Sequence, residues 1–218
     1  MGKTEVLVDT EFLQKLSAEG KNIEGFKKVL AELEFQPVIH PYVADEELGM
    51  YSYFEKLVKE RYLRVATYDE FLKDDGDRVL YSNYFQMLHD ALREYLEKSK
   101  CPKKLDKLIL LPEQTVFEYR RAGMSLGDVH MVLMASFAHI PVILSDDSDM
   151  TILKPVVKRY FSYSDFELNI LSCVEVLEQI ARMEISSFSK KELLTMLKRS
   201  GEAEKKTRIY EAWKEGHE

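Results

Sequence analysis

The chain runs to 218 residues, of which 45% are hydrophobic and 32% charged. This suits one α/β domain, or one domain with an appendage, and excludes disordered, collagen-like and linker-like chains. With 31 basic against 38 acidic side chains the net charge is −7, which argues against attraction of nucleic acid to the whole surface while leaving room for a local basic face and for a cluster of carboxylates.

In chain order, Val6-Leu7-Val8 predicts a strand buried on both faces and ending at Asp9. A helix is expected over about residues 11–18, with Gly20 as its stop, and a second where Phe26, Val29, Leu30 and Leu33 recur at helical spacing. Pro37-Val38-Ile39-His40 is the next strand, Pro41 holding His40 extended. Residues 44–58 read as one helix opening on Asp45-Glu46-Glu47, and residues 63–66 as a short strand. Residues 73–78 form a polar break with turn chemistry, followed by a helix over 84–96 with Leu88, Leu92 and Leu96 on one face. A lysine-rich stretch over 98–107 leads to Leu108-Ile109-Leu110-Leu111, which fits a buried strand and a helix turn equally well. Ser125-Leu126-Gly127-Asp128 then opens a helix over 129–138 that is apolar on nearly every side. Pro141-Val142-Ile143-Leu144 is another doubly buried strand and runs into Ser145-Asp146-Asp147-Ser148-Asp149. A last strand over 166–171, helices over 174–183 and 190–199, and a polar tail from Gly201 complete the reading. Strands alternating with helices predict an α/β fold with a mostly parallel sheet.

Two cysteines, Cys101 and Cys173, make no disulfide framework, sit at no zinc-binding spacing, and suit a reducing, cytoplasmic compartment. No apolar run approaches the roughly 18 residues of a membrane span. The N-terminus lacks a basic region followed by an apolar one, so neither membrane association nor a secretory signal is expected.

The acids at strand ends carry the chemistry. In a parallel sheet the strands over 6–8 and 142–144 end on one edge, where open α/β folds bind ligands. As neighbours about 4.8 Å apart they would bring Asp9 together with Asp146 and Asp147. Mutual repulsion and burial would raise the pKa values of such a group, and a divalent cation relieves both; an all-oxygen set of donors favours Mg²⁺ or Mn²⁺ over zinc. Each acid also has a structural reading. Asp128 completes a capping box with Ser125, Asp146, Asp147 and Asp149 suit a turn or N-cap, Asp9 suits a strand end, and Glu46 and Glu47 suit a helix's first turn.

Three segments carry a resemblance: Val6-Leu7-Val8-Asp9-Thr10, Tyr42-Val43-Ala44-Asp45-Glu46-Glu47-Leu48, and the run from Ser125 through Ala135 and Ile140 to Asp149. Together they resemble the PIN-domain family of metal-dependent ribonucleases, which includes the toxins of many toxin–antitoxin pairs. The resemblance implies a three-layer α/β/α domain over residues 1–183, with a helical insertion at about 50–115 and a C-terminal helical extension over 184–218. It implies hydrolysis of RNA phosphodiesters with Mg²⁺ or Mn²⁺ as cofactor. Asp9, Glu47, Asp128 and Asp147 are then the catalytic acids, Asp9, Asp128, Asp147 and Asp149 the metal ligands, and Thr10, Ser145 and Asp146 their supports. Glu46 competes with Glu47 for the middle position, and Leu48 favours Glu47. RNA is the implied partner, with an antitoxin or other protein and a second copy of the chain as further candidates.

A phosphate track is expected at Arg120, Arg121 and Lys154, the bases nearest the acids in sequence. Tyr51, Tyr53 and Phe54 suit either base stacking or the core, and His40, His130 and His139 read as structural. The alternative function is a PIN-like module that binds RNA or protein without cleaving. Phosphotransfer enzymes of the haloacid-dehalogenase type also open on an apolar strand ending in Asp, but they need a second Asp where this chain has Glu11.

Overall fold

The structure is a computed structural model that describes residues 2–100, 102–105, 108, 110, 114–119, 126–160 and 167–217. The fold is α/β, with five parallel strands flanked by helices in three layers. In chain order come β1 (Thr4–Val8), α1 (Thr10–Leu16), α2 (Ile23–Glu32) and β2 (Phe35–Ile39). A π-turn (Val43–Leu48), α3 (Ser52–Lys59), β3 (Arg64–Val65) and α4 (Tyr68–Phe71) follow. Next are α5 (Asp75–Lys98), α6 (Pro102–Leu105), α7 (Leu126–Phe137), β4 (Val142–Leu144) and α8 (Ser148–Tyr160). The chain ends through β5 (Asn169–Leu171), α9 (Cys173–Arg182), α10 (Lys190–Arg199) and α11 (Lys206–His217). No helix among the described residues is long and apolar enough to cross a membrane.

The strand order is β3-β2-β1-β4-β5. From β1 the chain steps to one side through β2 and β3, then returns to place β4 on β1's other side. The reversal leaves a crevice beyond the carboxyl ends of β1 and β4, where open α/β sheets bind their ligands. The pairing runs Leu7 to Ile143 and Val8 to Leu144, and the Asp9 N–H donates to Leu144 O at 3.0 Å. Val6, Leu7, Val8, Ile143 and Leu144 are buried, as strands with a helical layer on each face must be. Helix α7 is buried along its whole apolar length and forms part of the core.

Several sequence expectations need correction. Residues 44–58 do not form one helix; the π-turn and α3 are separated around Gly49. The polar stretch 73–78 is the start of α5, with Asp74 as N-cap accepting from the Asp77 N–H at 2.9 Å. Helix α8 was not foreseen. Leu108 and Leu110 lie in no helix or strand, while Ile109, Leu111, Ser125 and Phe166 lie outside the described residues.

The tail from Gly201 is polar yet forms α11, which buries Ile209 and Ala212 against α9 and α10. Arg208 clamps Glu178 of α9, with Nη2 at 2.8 Å from Oε2. A Cβ on Gly216 would sit 2.4 Å from the backbone oxygen of Arg182, which cannot swing aside like a side chain. Gly216→Ala is therefore expected to destabilise by about 1–3 kcal/mol, read as a lower thermal midpoint.

Candidate metal centre

Asp9 leaves β1 at the central strand's carboxyl end and caps α1, its Oδ1 accepting from the Thr10 N–H at 2.7 Å. Its Oδ2 accepts from Ser145 Oγ at 2.9 Å, which ties the end of β1 to the end of β4. The same Ser145 Oγ accepts from the Asp147 N–H at 3.1 Å. Asp147 in turn stands at the N-cap of α8, accepting from the Asp149 N–H at 2.8 Å. The capping and site readings of this loop are thus both correct: the turn that starts α8 also fixes where its carboxylates lie.

Asp128 enters from a third direction, on the first turn of α7. One carboxylate oxygen from each of Asp128, Asp147 and Asp149 falls within 4.8 Å of the others. Asp128 and Asp149 are buried, at 4% and 2% exposure. Among the described residues Asp128 Oδ2 is fully enclosed without a hydrogen-bond partner. Asp9 stands beside this trio, coupled to it by charge. Burial, then the charges of Glu47 and Asp147, raise its carboxyl to about 7 against the opposing hydrogen bonds from Ser145 and Thr10. Burial and the charges of Asp9, Asp147, Glu47 and Asp149 hold Asp128 well above the usual carboxylate range.

The middle acid is Glu47. Thr10 Oγ1 donates to Glu47 Oε2 at 2.7 Å. A Cβ on Gly127 would lie 2.4 Å from Glu47 Oε1, so the absent side chain is what admits Glu47 beside Asp128. The wide π-turn separates adjacent acids: Glu47 joins the centre and Glu46 lines a cleft beside it. Gly127→Ala is expected to displace Glu47 and weaken Mn²⁺ binding at least about tenfold, in the manner of a lost metal-site support, while the buried helix stays folded. Calorimetric titration would measure this.

Asp146 has a different role. Its carboxylate accepts from the Cys173 N–H at 3.3 Å and faces Lys15 Nζ at 3.9 Å. Lys15 also meets Glu11 at 3.0 Å and Glu202 at 3.3 Å. Asp146 therefore holds the start of α9, while Asp147 turns to the centre. Lys154 lies half-buried on α8, one and a half turns beyond Asp149; Arg120 and Arg121 lie outside the described residues. Phe54 is buried, and Tyr53 packs against Gly20.

Behind the centre, His40 and His130 are buried and neutral, burial pushing His130 down to about 3 and His40 in the same direction. The Tyr42 N–H donates to His40 Nδ1 at 3.0 Å, so His40 carries its proton on Nε2 and donates to Tyr81 Oη at 3.1 Å. Tyr81 then donates to His130 Nδ1 at 2.8 Å. Sequence reasoning missed Tyr81. Extending the α5 periodicity back from Leu92 through Leu88 and Phe85 reaches it.

All donors at the centre are oxygens, which suits a hard divalent cation. The enclosed, unpartnered oxygen of Asp128 among like charges is the kind of group that such an ion satisfies. No protein-family model, curated protein or solved structure matches this chain.

Proposed function

We propose that the chain is a Mg²⁺- or Mn²⁺-dependent ribonuclease of the PIN-like type, hydrolysing RNA phosphodiesters. The observation that carries the reading is the convergence of Asp9, Glu47, Asp128, Asp147 and Asp149 around a buried carboxylate oxygen without a partner. Asp128, Asp147 and Asp149 would hold the ion, with Asp9 completing the anionic wall. Such an ion activates water and neutralises charge on the leaving oxygen. Ser145 keeps Asp9 and the Asp147 loop in register, and Thr10 aims Glu47, which orients the attacking water. Lys154 supplies positive charge toward the RNA backbone. The reading carries with it a cytoplasmic setting and an antitoxin or other protein partner, and it allows a homodimer.

Cleavage of single-stranded RNA with and without Mn²⁺ tests this reading. Asp9→Asn and Asp147→Asn should each abolish metal-dependent cleavage while the far-UV spectrum is unchanged; full activity in both would overturn it. Mn²⁺ binding without any RNA cleavage would favour the non-cleaving module instead. Thr10→Val removes only the hydroxyl that aims Glu47, so metal affinity or rate should fall about 10–100-fold.

A further inference from the structure

Next to the carboxylate centre lies a cleft of about 260 Å³ that the proposed hydrolysis does not use. Four aromatic rings line it, from Tyr42, Tyr68, Phe117 and Tyr119, together with the carboxylates of Asp45 and Glu46. No Lys, Arg or His is among its described lining residues. The Tyr68 and Phe117 rings stand edge to face, 5.0 Å apart at 85°. Glu118 also borders the cleft, but its carboxylate already accepts from Thr115, from Oγ1 at 2.8 Å and from the N–H at 3.2 Å. Asp45 and Glu46 occupy the π-turn immediately before Glu47, so whatever enters the cleft lies beside the proposed reacting phosphate.

Drug-sized ligands fill clefts of about 300–1,000 Å³, so this smaller one suits a single planar ring system. Aromatic walls stack any base. The carboxylates select among bases, because an ionised carboxylate only accepts hydrogen bonds. Adenine and cytosine each place a ring-nitrogen lone pair beside their amino group, and uracil flanks its one N–H with two carbonyls. Guanine alone offers two adjacent donors, N1–H and the N2 amino group, spaced to meet the two oxygens of one carboxylate.

We propose that this cleft is a guanine-recognition pocket, in which the tyrosine and phenylalanine rings hold the base and the Asp45/Glu46 pair reads its N1–H and N2 amino edge. Its role as a specificity pocket rests on the ribonuclease reading; the binding itself does not. The test titrates guanosine, inosine, adenosine, cytidine, uridine and L-argininamide into the full chain without divalent metal, followed by NMR. Guanosine should bind at least about tenfold more tightly than inosine, which lacks the N2 amino group, and than the other nucleosides. The Asp45→Asn/Glu46→Gln double variant should lose that margin. Equal binding of all nucleosides, tighter binding of L-argininamide, or an undiminished guanosine margin in the variant would each overturn the proposal. With metal and RNA added, cleavage should concentrate next to guanine. Guanosine selectivity without any cleavage would support the pocket and sink the ribonuclease, whereas metal-dependent cleavage with no base preference would do the reverse.

Discussion

Asp128→Asn should abolish Mn²⁺ binding and metal-dependent RNA cleavage while leaving the metal-free protein at least as stable as its parent. Asp128 sits in the most buried wall of the centre, with one oxygen unpartnered among the described residues and with Asp9, Glu47, Asp147 and Asp149 all acting on it. Ionising it there without a cation costs several kcal/mol. Asparagine keeps the shape, removes the charge and adds N–H donors to a region rich in carboxylate acceptors. The metal-free fold should therefore gain or hold its ground, whereas loss of most variants' buried groups is destabilising. Loss of a direct ligand should exceed the 10–100-fold effects of supporting residues. Calorimetric titration with Mn²⁺ and thermal melts in EDTA read the two effects separately. Unchanged Mn²⁺ affinity would remove Asp128 from the centre. A large fall in metal-free stability would show that its carboxylate is held by protein contacts instead of awaiting an ion.

The metal-free protein should lose stability as pH rises above about 7, and Mg²⁺ should abolish that loss. Asp9 titrates at about 7 when folded and near 3.9 when unfolded. Between those values the folded state holds a proton that the unfolded state has released, so raising the pH through this range destabilises. Asp128 acts in the same direction. His40 and His130 oppose them. Both are pushed down by burial, so below about 6.5 the unfolded chain takes up protons that the folded chain refuses. The two pairs offset each other between about pH 4 and 6.5, which leaves a plateau. Above it only the carboxylates remain, each worth about 1.4 kcal/mol per pH unit within its range, or a few degrees in the midpoint for a domain of this size. Below the plateau, Glu192, held down to about 2 by the Ser189 cap, adds an acid limb. A cation binds the ionised carboxylates, so its stabilisation grows with pH. Melts in EDTA and in Mg²⁺ from pH 5 to 9 measure this; a metal-free midpoint that climbs from pH 6.5 to 8.5 would contradict it.

The legible parts of the chain are those where one local signal suffices. Val6-Leu7-Val8 and Val142-Ile143-Leu144 are apolar on both faces, and only a strand inside a covered parallel sheet needs that. Each runs straight into acid, so the convergence of Asp9 with Asp147 follows from the sheet alone. Helix α10 begins and ends where its sequence suggests because Ser189 and Glu192 form a capping box. The Glu46/Glu47 choice was less legible, because it depends on a turn five residues wide where a standard helix was expected. Asp146 and Asp147 are chemically identical neighbours, and only the position of the Cys173 N–H assigns one to α9 and leaves the other to the centre. Helix α11 has too few apolar residues to announce itself; it is held because Ile209 and Ala212 meet a face of α9 and α10 that is also in need of cover.

By itself the sequence determined the α/β class, the two central strands and the set of acids from which a centre could be drawn, since burial on both strand faces and polar punctuation are local patterns that survive in one dimension. The tertiary structure alone decided which acids share a volume, which is tied to a helix start, and that Asp9 stands beside the Asp128, Asp147 and Asp149 trio instead of within it. Proximity of charges, and with it every shifted pKa and any need for a cation, depends on distances between elements far apart in the chain, and those exist only once the sheet has closed.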